Sequence, residues 1–136
     1  MRKIDLLRLS ERIRGFTLPV DGVMHVFDYD EVFRLNLATG LFEILDDDPW
    51  EFADANPGFL GVSGCEPLRA NGSSTVSYCF DPTGDFQDVC LIWQGQRHEI
   101  TFRTLSGDWF VATLTANDKY LIIAEPYLFE VYALAA

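Results

Sequence analysis

The C-terminal half of the chain is punctuated too closely to fold any way but antiparallel. Six segments rich in β-branched and aromatic residues (75–80, 86–93, 99–105, 109–115, 120–125 and 128–134) alternate with turn-forming links. The links are Pro82-Thr83-Gly84-Asp85, Gln94-Gly95-Gln96, Ser106-Gly107-Asp108, Ala116-Asn117-Asp118-Lys119 and Pro126. Parallel neighbours need a crossover of a dozen residues or more, and none of these links can hold one. The expected fold is therefore mainly β, an antiparallel meander forming a sandwich or barrel, with an N-terminal helix and one short inserted helix. About nine strands are expected in all.

The N-terminal half supplies the rest of that count. Residues 23–29 are β-branched and aromatic, Phe33, Leu35 and Leu37 alternate with Arg34, Asn36 and Ala38, and Ala38-Thr39-Gly40 turns the chain into a partner strand over 41–45. Upstream, Leu6, Leu9 and Ile13 recur at helical spacing and Gly15 stands where a C-cap is wanted, which predicts an amphipathic helix over 2–14. Asp48-Pro49-Trp50-Glu51 is a second helix start, with an aspartate N-cap, proline at the first position and glutamate three residues after the cap. Asn56-Pro57-Gly58 ends it after about two turns. Residues 61–74, rich in glycine and serine, show no period and read as a loop. A chain of 136 residues that is 49% hydrophobic and 14% aromatic can bury one core, so residues 1–136 are read as a single globular domain rather than a disordered acidic tail.

Charge is distributed unevenly. Five of the ten basic residues (Arg2, Lys3, Arg8, Arg12, Arg14) precede Gly15, and between Asp21 and Asp54 ten acids face one base, Arg34. The whole chain carries −11. Such a body repels phosphate, so nucleic acid is not an expected partner. It offers instead a steering field to a cationic one. No apolar run reaches the length of a membrane span, and Asp5, Arg8, Glu11 and Arg12 interrupt any signal-peptide core. With three cysteines, an odd set in a chain that needs no disulfide staple, the expected location is the reducing cytoplasm and the expected thiols are free.

The candidate partner-binding residues are Asp28, Asp30, Glu31, Asp46, Asp47, Asp48, Trp50, Glu51 and Asp54. Clustered carboxylates raise association rates and fix register with a basic protein, while the plainer reading is a solvated loop that caps a helix. Calcium is not expected, since Asp28-Tyr29-Asp30-Glu31-Val32 lacks the third acid and the glycine of an EF-hand loop. No zinc site is expected either, there being no close cysteine pair, and no cofactor motif is present. Trp50 would be an interface anchor if exposed, but a tryptophan beside a helix-start proline is expected to pack back on the sheet. Cys79 and Cys90 are symmetric about Gly84-Asp85, so a regular hairpin would set them opposite each other. Gly61-Val62-Ser63-Gly64-Cys65 falls short of a nucleophile elbow, with cysteine where the last glycine belongs. His25 and His98 sit in no recognisable nucleophile setting, so no catalytic residue and no enzyme is expected.

A small, single-domain, strongly acidic chain without catalytic motifs resembles the immunity proteins that bacteria make against their own polymorphic toxins. The resemblance is one of size, charge and motif content, and carries over no individual residue. It implies a protein-binding antidote whose carboxylates block a cationic toxin or effector. The alternative is a small-molecule carrier, a β-barrel or sandwich whose cavity would be lined by Phe102, Trp109, Phe110, Tyr120 and Phe129. A third reading, an enzyme using Cys65 with a histidine, requires a cleft that joins them.

Overall fold

The computed structural model describes residues 1–6, 12–62, 65–117 and 119–134. Among the described residues thirteen strands form three antiparallel sheets, accompanied by one helix. In chain order the strands are β1 (Arg2–Lys3), β2 (Gly15–Phe16), β3 (Val23–Phe27), β4 (Val32–Asn36) and β5 (Phe42–Leu45), then helix α1 (Pro49–Ala55). They continue with β6 (Leu60–Gly61), β7 (Ala70–Asn71), β8 (Ser74–Ser77), β9 (Phe86–Trp93), β10 (Gln96–Arg103), β11 (Val111–Leu114), β12 (Tyr120–Ala124) and β13 (Phe129–Ala133). Nine have four residues or more, the number expected; the other four are two-residue pairings.

The sheets run β5-β4-β3-β2-β6, β10-β9-β8-β7 and β1-β13-β12-β11. The last is packed on both faces. Val111, Ile122, Ala124 and Val131 point into one core with Phe16, Met24, Val26 and Leu35 of the N-terminal sheet. Ala112, Leu114, Leu121 and Ile123 point the other way, into a second core with Val76, Val89, Leu91 and Phe102. Successive strand residues face opposite sides, so burial on both faces requires the unbroken apolar run Leu121-Ile122-Ile123-Ala124, fully buried throughout.

The six C-terminal strands are present, but not as one meander. The link from β10 to β11 leaves one sheet and enters another, and splits them between two sheets. A single buried acid secures that passage. Glu125, fully buried, accepts hydrogen bonds from the backbone N–H groups of Leu105 and Ser106 in the link, and of Tyr127 and Leu128 in the turn before β13.

The N-terminal helix is corrected. Arg2–Lys3 form β1, which pairs antiparallel with Tyr132 and Ala133 of β13, and residues 4–6 and 12–14 are not helical; residues 7–11, with Leu9, lie outside the described residues. Of the residues whose spacing suggested a helix, Ile13 is buried in the first core and Leu6 packs against it, and Ile4 is buried there too. Backbone bonds to β13 and to the turn before it hold Ile4 and Ile13 in extended chain.

The hairpins are as expected. Asn36 closes the β4–β5 turn by accepting from Ala38 and Thr39 N–H groups, and Gly40 takes a positive φ of 74° with Asp5 carbonyl oxygen where a Cβ would lie. Helix α1 starts at Asp48, whose carboxylate accepts from Trp50 and Glu51 N–H groups at 2.8 and 3.2 Å, and ends at Asn56. Its Phe52 and Ala53 pack on Phe27 and Val32, covering the outer face of the N-terminal sheet.

Candidate functional sites

Two places in this fold have the makings of a binding site: the acidic outer face around α1, and a cavity where the three sheets meet.

On the outer face, Asp30, Asp46, Asp47, Asp48, Glu51 and Asp54 are exposed and Glu31 is half-buried. The link from β5 and the first turn of α1 bring four of these together in consecutive chain. None has a salt-bridge partner among the described residues. The one base of the region, Arg34, is already taken by Glu43 across the β4–β5 hairpin.

Asp28 is the exception. It is only 2% exposed, and its Oδ1 accepts from Asp30 and Glu31 N–H groups at 2.7 and 2.6 Å, which closes the turn between β3 and β4. Its carboxylate is a structural element of that hairpin and does not present itself to a partner.

Trp50 is corrected in the other direction. It is 55% exposed, and its indole rests on the guanidinium of Arg14, whose central carbon lies 3.7 Å from the ring centroid. Arg14 is itself buried, enclosed also by Phe27 and Tyr29 at 5.1 and 5.6 Å. The guanidinium takes the place a core side chain would have filled, so the indole stays at the surface, held from below by a cation–π contact. Tyr29, 44% exposed, lies beside it with ring centroids 6.0 Å apart. Arg14 and Tyr29 are the site residues that sequence reasoning missed. Tyr29 stands inside the acidic run and was open to view, whereas no local signal ties Arg14 to Trp50.

The cavity, of about 670 Å³, opens where the inner face of the N-terminal sheet meets β10 and the start of β13. That is within the size range of small-molecule sites. Its wall is mainly apolar, with Phe33, Phe42, Phe86, Phe102 and Phe129 as the aromatic members. Of the five aromatics expected around a cavity, Phe102 and Phe129 line this one; Trp109 and Phe110 are buried in the two cores and Tyr120 packs against the first. Most polar groups on the wall are engaged. Lys3 Nζ meets Glu130 at 2.8 Å, Tyr132 donates to Glu130, Thr101 donates to Asp88, and Tyr127 accepts from Arg12.

The chain matches no family model, no curated protein and no solved structure. The case for function therefore rests on these two places and on what the remaining reactive groups do.

Those groups are scattered. Cys65 donates to Pro57 carbonyl at 3.2 Å, His25 on β3 lies tilted against Phe52 with centroids 5.3 Å apart, and His98 lies on β10 in another sheet. No thiol is hydrogen-bonded to an imidazole among the described residues. Ser63 and Gly64 of the elbow-like stretch lie outside them. The register sets Cys90 against Ser77 and Glu99, not against Cys79, because the β8–β9 pairing is displaced by two residues from one symmetric about Gly84-Asp85; the cysteines are free. Among the described residues no three His, Cys, Asp or Glu side chains converge as metal ligands, and no helix is long and apolar enough to cross a membrane.

Proposed function

We propose that the protein binds a basic protein partner through the acidic outer face, in the manner of an antidote that occupies the cationic surface of a toxin or effector. The observation that carries this reading is Trp50: a half-exposed indole, fixed by Arg14 beneath it and Tyr29 beside it, within the run Asp46-Asp47-Asp48-Pro49-Trp50-Glu51. Interfaces concentrate their energy in such aromatic anchors, and a rigid one loses little entropy on docking. Carboxylates around it steer lysines and arginines of the partner into contact, so association is fast and slows as salt rises. On this reading the residues that meet the partner are Asp30, Glu31, Asp46, Asp47, Asp48, Trp50, Glu51 and Asp54. The protein does no chemistry on its partner and acts inside the cell that makes both.

The test is capture from an extract of the source cells at low salt by three immobilised forms: the natural chain, Trp50→Ala, and the combined reversal of Asp46, Asp47, Asp48 and Glu51 to lysine. The natural chain is expected to retain a basic protein that Trp50→Ala holds at least tenfold less tightly and the reversal does not hold at all. Retention of the same protein by the reversal variant, or capture of acidic proteins only, would overturn the reading.

A further inference from the structure

We infer that the cavity between the sheets is a binding site for an apolar small molecule with a carboxylate head, the head paired with Arg103. This site is separate from the acidic face and does not depend on it. The apolar part of the argument is the wall itself: five phenylalanines, with Leu35 and Leu128 among the aliphatic groups, line about 670 Å³ of open space among the described residues. Phe86 strengthens it. Its ring, 58% exposed at the start of β9, adds apolar surface to this wall at the open side of the cavity.

The head group follows from which polar side chains remain available. With Lys3, Glu130, Thr101 and Tyr127 occupied by their neighbours, Arg103 and Asp5 are the charged groups on the wall with no side-chain partner among the described residues. Arg103 ends β10, a strand paired with β9 through all eight of its residues, directly across from Phe86. Its guanidinium is a planar fork suited to a carboxylate and is carried on a rigid element beside the apolar opening. Asp5 lies outside any strand or helix and is the less precisely held of the two.

Isothermal titration with straight-chain probes tests this directly. Decanoate is expected to bind one per chain and more tightly than decanol or decylamine. Shortening it to octanoate should weaken binding about fourfold per methylene removed. Arg103→Gln, an exposed position whose loss leaves the fold intact by circular dichroism, should weaken decanoate about tenfold or more and leave decanol unchanged. Leu128→Trp, which fills the space from a half-buried position, should abolish binding of both. The charge-reversed acidic-face variant should bind decanoate as the natural chain does, so failure here and failure of the partner reading are told apart. Absence of decanoate binding up to about 1 mM would overturn the site. Decylamine binding as tightly as decanoate, or an unaffected Arg103→Gln variant, would overturn the assigned head group.

Discussion

Single residues in this protein do work their neighbours in sequence do not announce. Asp28 reads as surface charge and is a buried turn closure; Trp50 reads as core and stands exposed. The two inversions have separate origins: Asp28 is drawn in by the N–H groups of Asp30 and Glu31, and Trp50 is held at the surface on the buried guanidinium of Arg14. His25 gives the residue scale a measurable consequence. Burial, and next the charge of Arg34, hold its imidazole below the ordinary value of about 6.5, with Asp47 opposing. Between the lowered folded value and about 6.5 the unfolded chain binds more proton than the folded one, so stability rises with pH across that window. It is complete above about 6.5 and lost as pH falls toward the folded value. Urea midpoints are expected to drop between about pH 7.5 and pH 5.5 in the natural chain, and to drop less in His25→Gln. An equal drop in both would assign the effect to other groups.

Elements were the most legible level. The β4–β5 hairpin of the N-terminal half, the capped start and abrupt end of α1, and six C-terminal strands follow from turn residues and alternation, which act locally. What local pattern could not show was the division among sheets, because that depends on which faces are covered. Leu121-Ile122-Ile123-Ala124 held the clue: an alternating strand has one wet face, and this one has none. The short strands β1, β2 and β6 were invisible for the same reason, each being two residues whose pairing lies well away in sequence, and β7 is a two-residue pairing with its neighbour β8 inside a stretch that shows no period. Glu125 is the group on which the change of sheet depends. Replacing it by alanine strips four part-buried backbone N–H groups of their acceptor and is expected to cost about 3 kcal/mol of unfolding free energy, read from urea denaturation. Glu125→Gln, which keeps the shape and one strong acceptor, should recover part of that. A loss under about 1 kcal/mol in the alanine variant would mean that water satisfies the link.

At the scale of the molecule, folding pairs bases with acids away from the outer face and leaves the acids there without salt-bridge partners among the described residues. Lys3, Arg12, Arg34 and Arg97 are paired with Glu130, Asp108, Glu43 and Glu99, and Arg14 is enclosed by aromatic rings, so little positive charge is left to offset the outer face. This organisation was half legible: the acidic run from Asp21 to Asp54 locates the face, but only the fold shows that Trp50 and Tyr29 are exposed there, and that a cavity opens elsewhere. The excess charge costs stability through self-repulsion, and salt should return some of it. Going from about 0.01 M to about 0.15 M sodium chloride shortens the screening length from about 30 Å to about 8 Å. The four exposed ion pairs lose little over that range, since such pairs contribute little to begin with. The melting temperature is therefore expected to rise by a few degrees in the natural chain, whose net charge is −11. In the variant with Asp46, Asp47, Asp48 and Glu51 reversed to lysine the net charge is about −3, and the rise should be small or absent. The same salt that steadies the free protein should slow its association with a basic partner, because one set of carboxylates is responsible for both. A melting temperature that fell with salt in the natural chain would show instead that the ion pairs outweigh the repulsion, and that the acidic face is no burden for a partner to relieve.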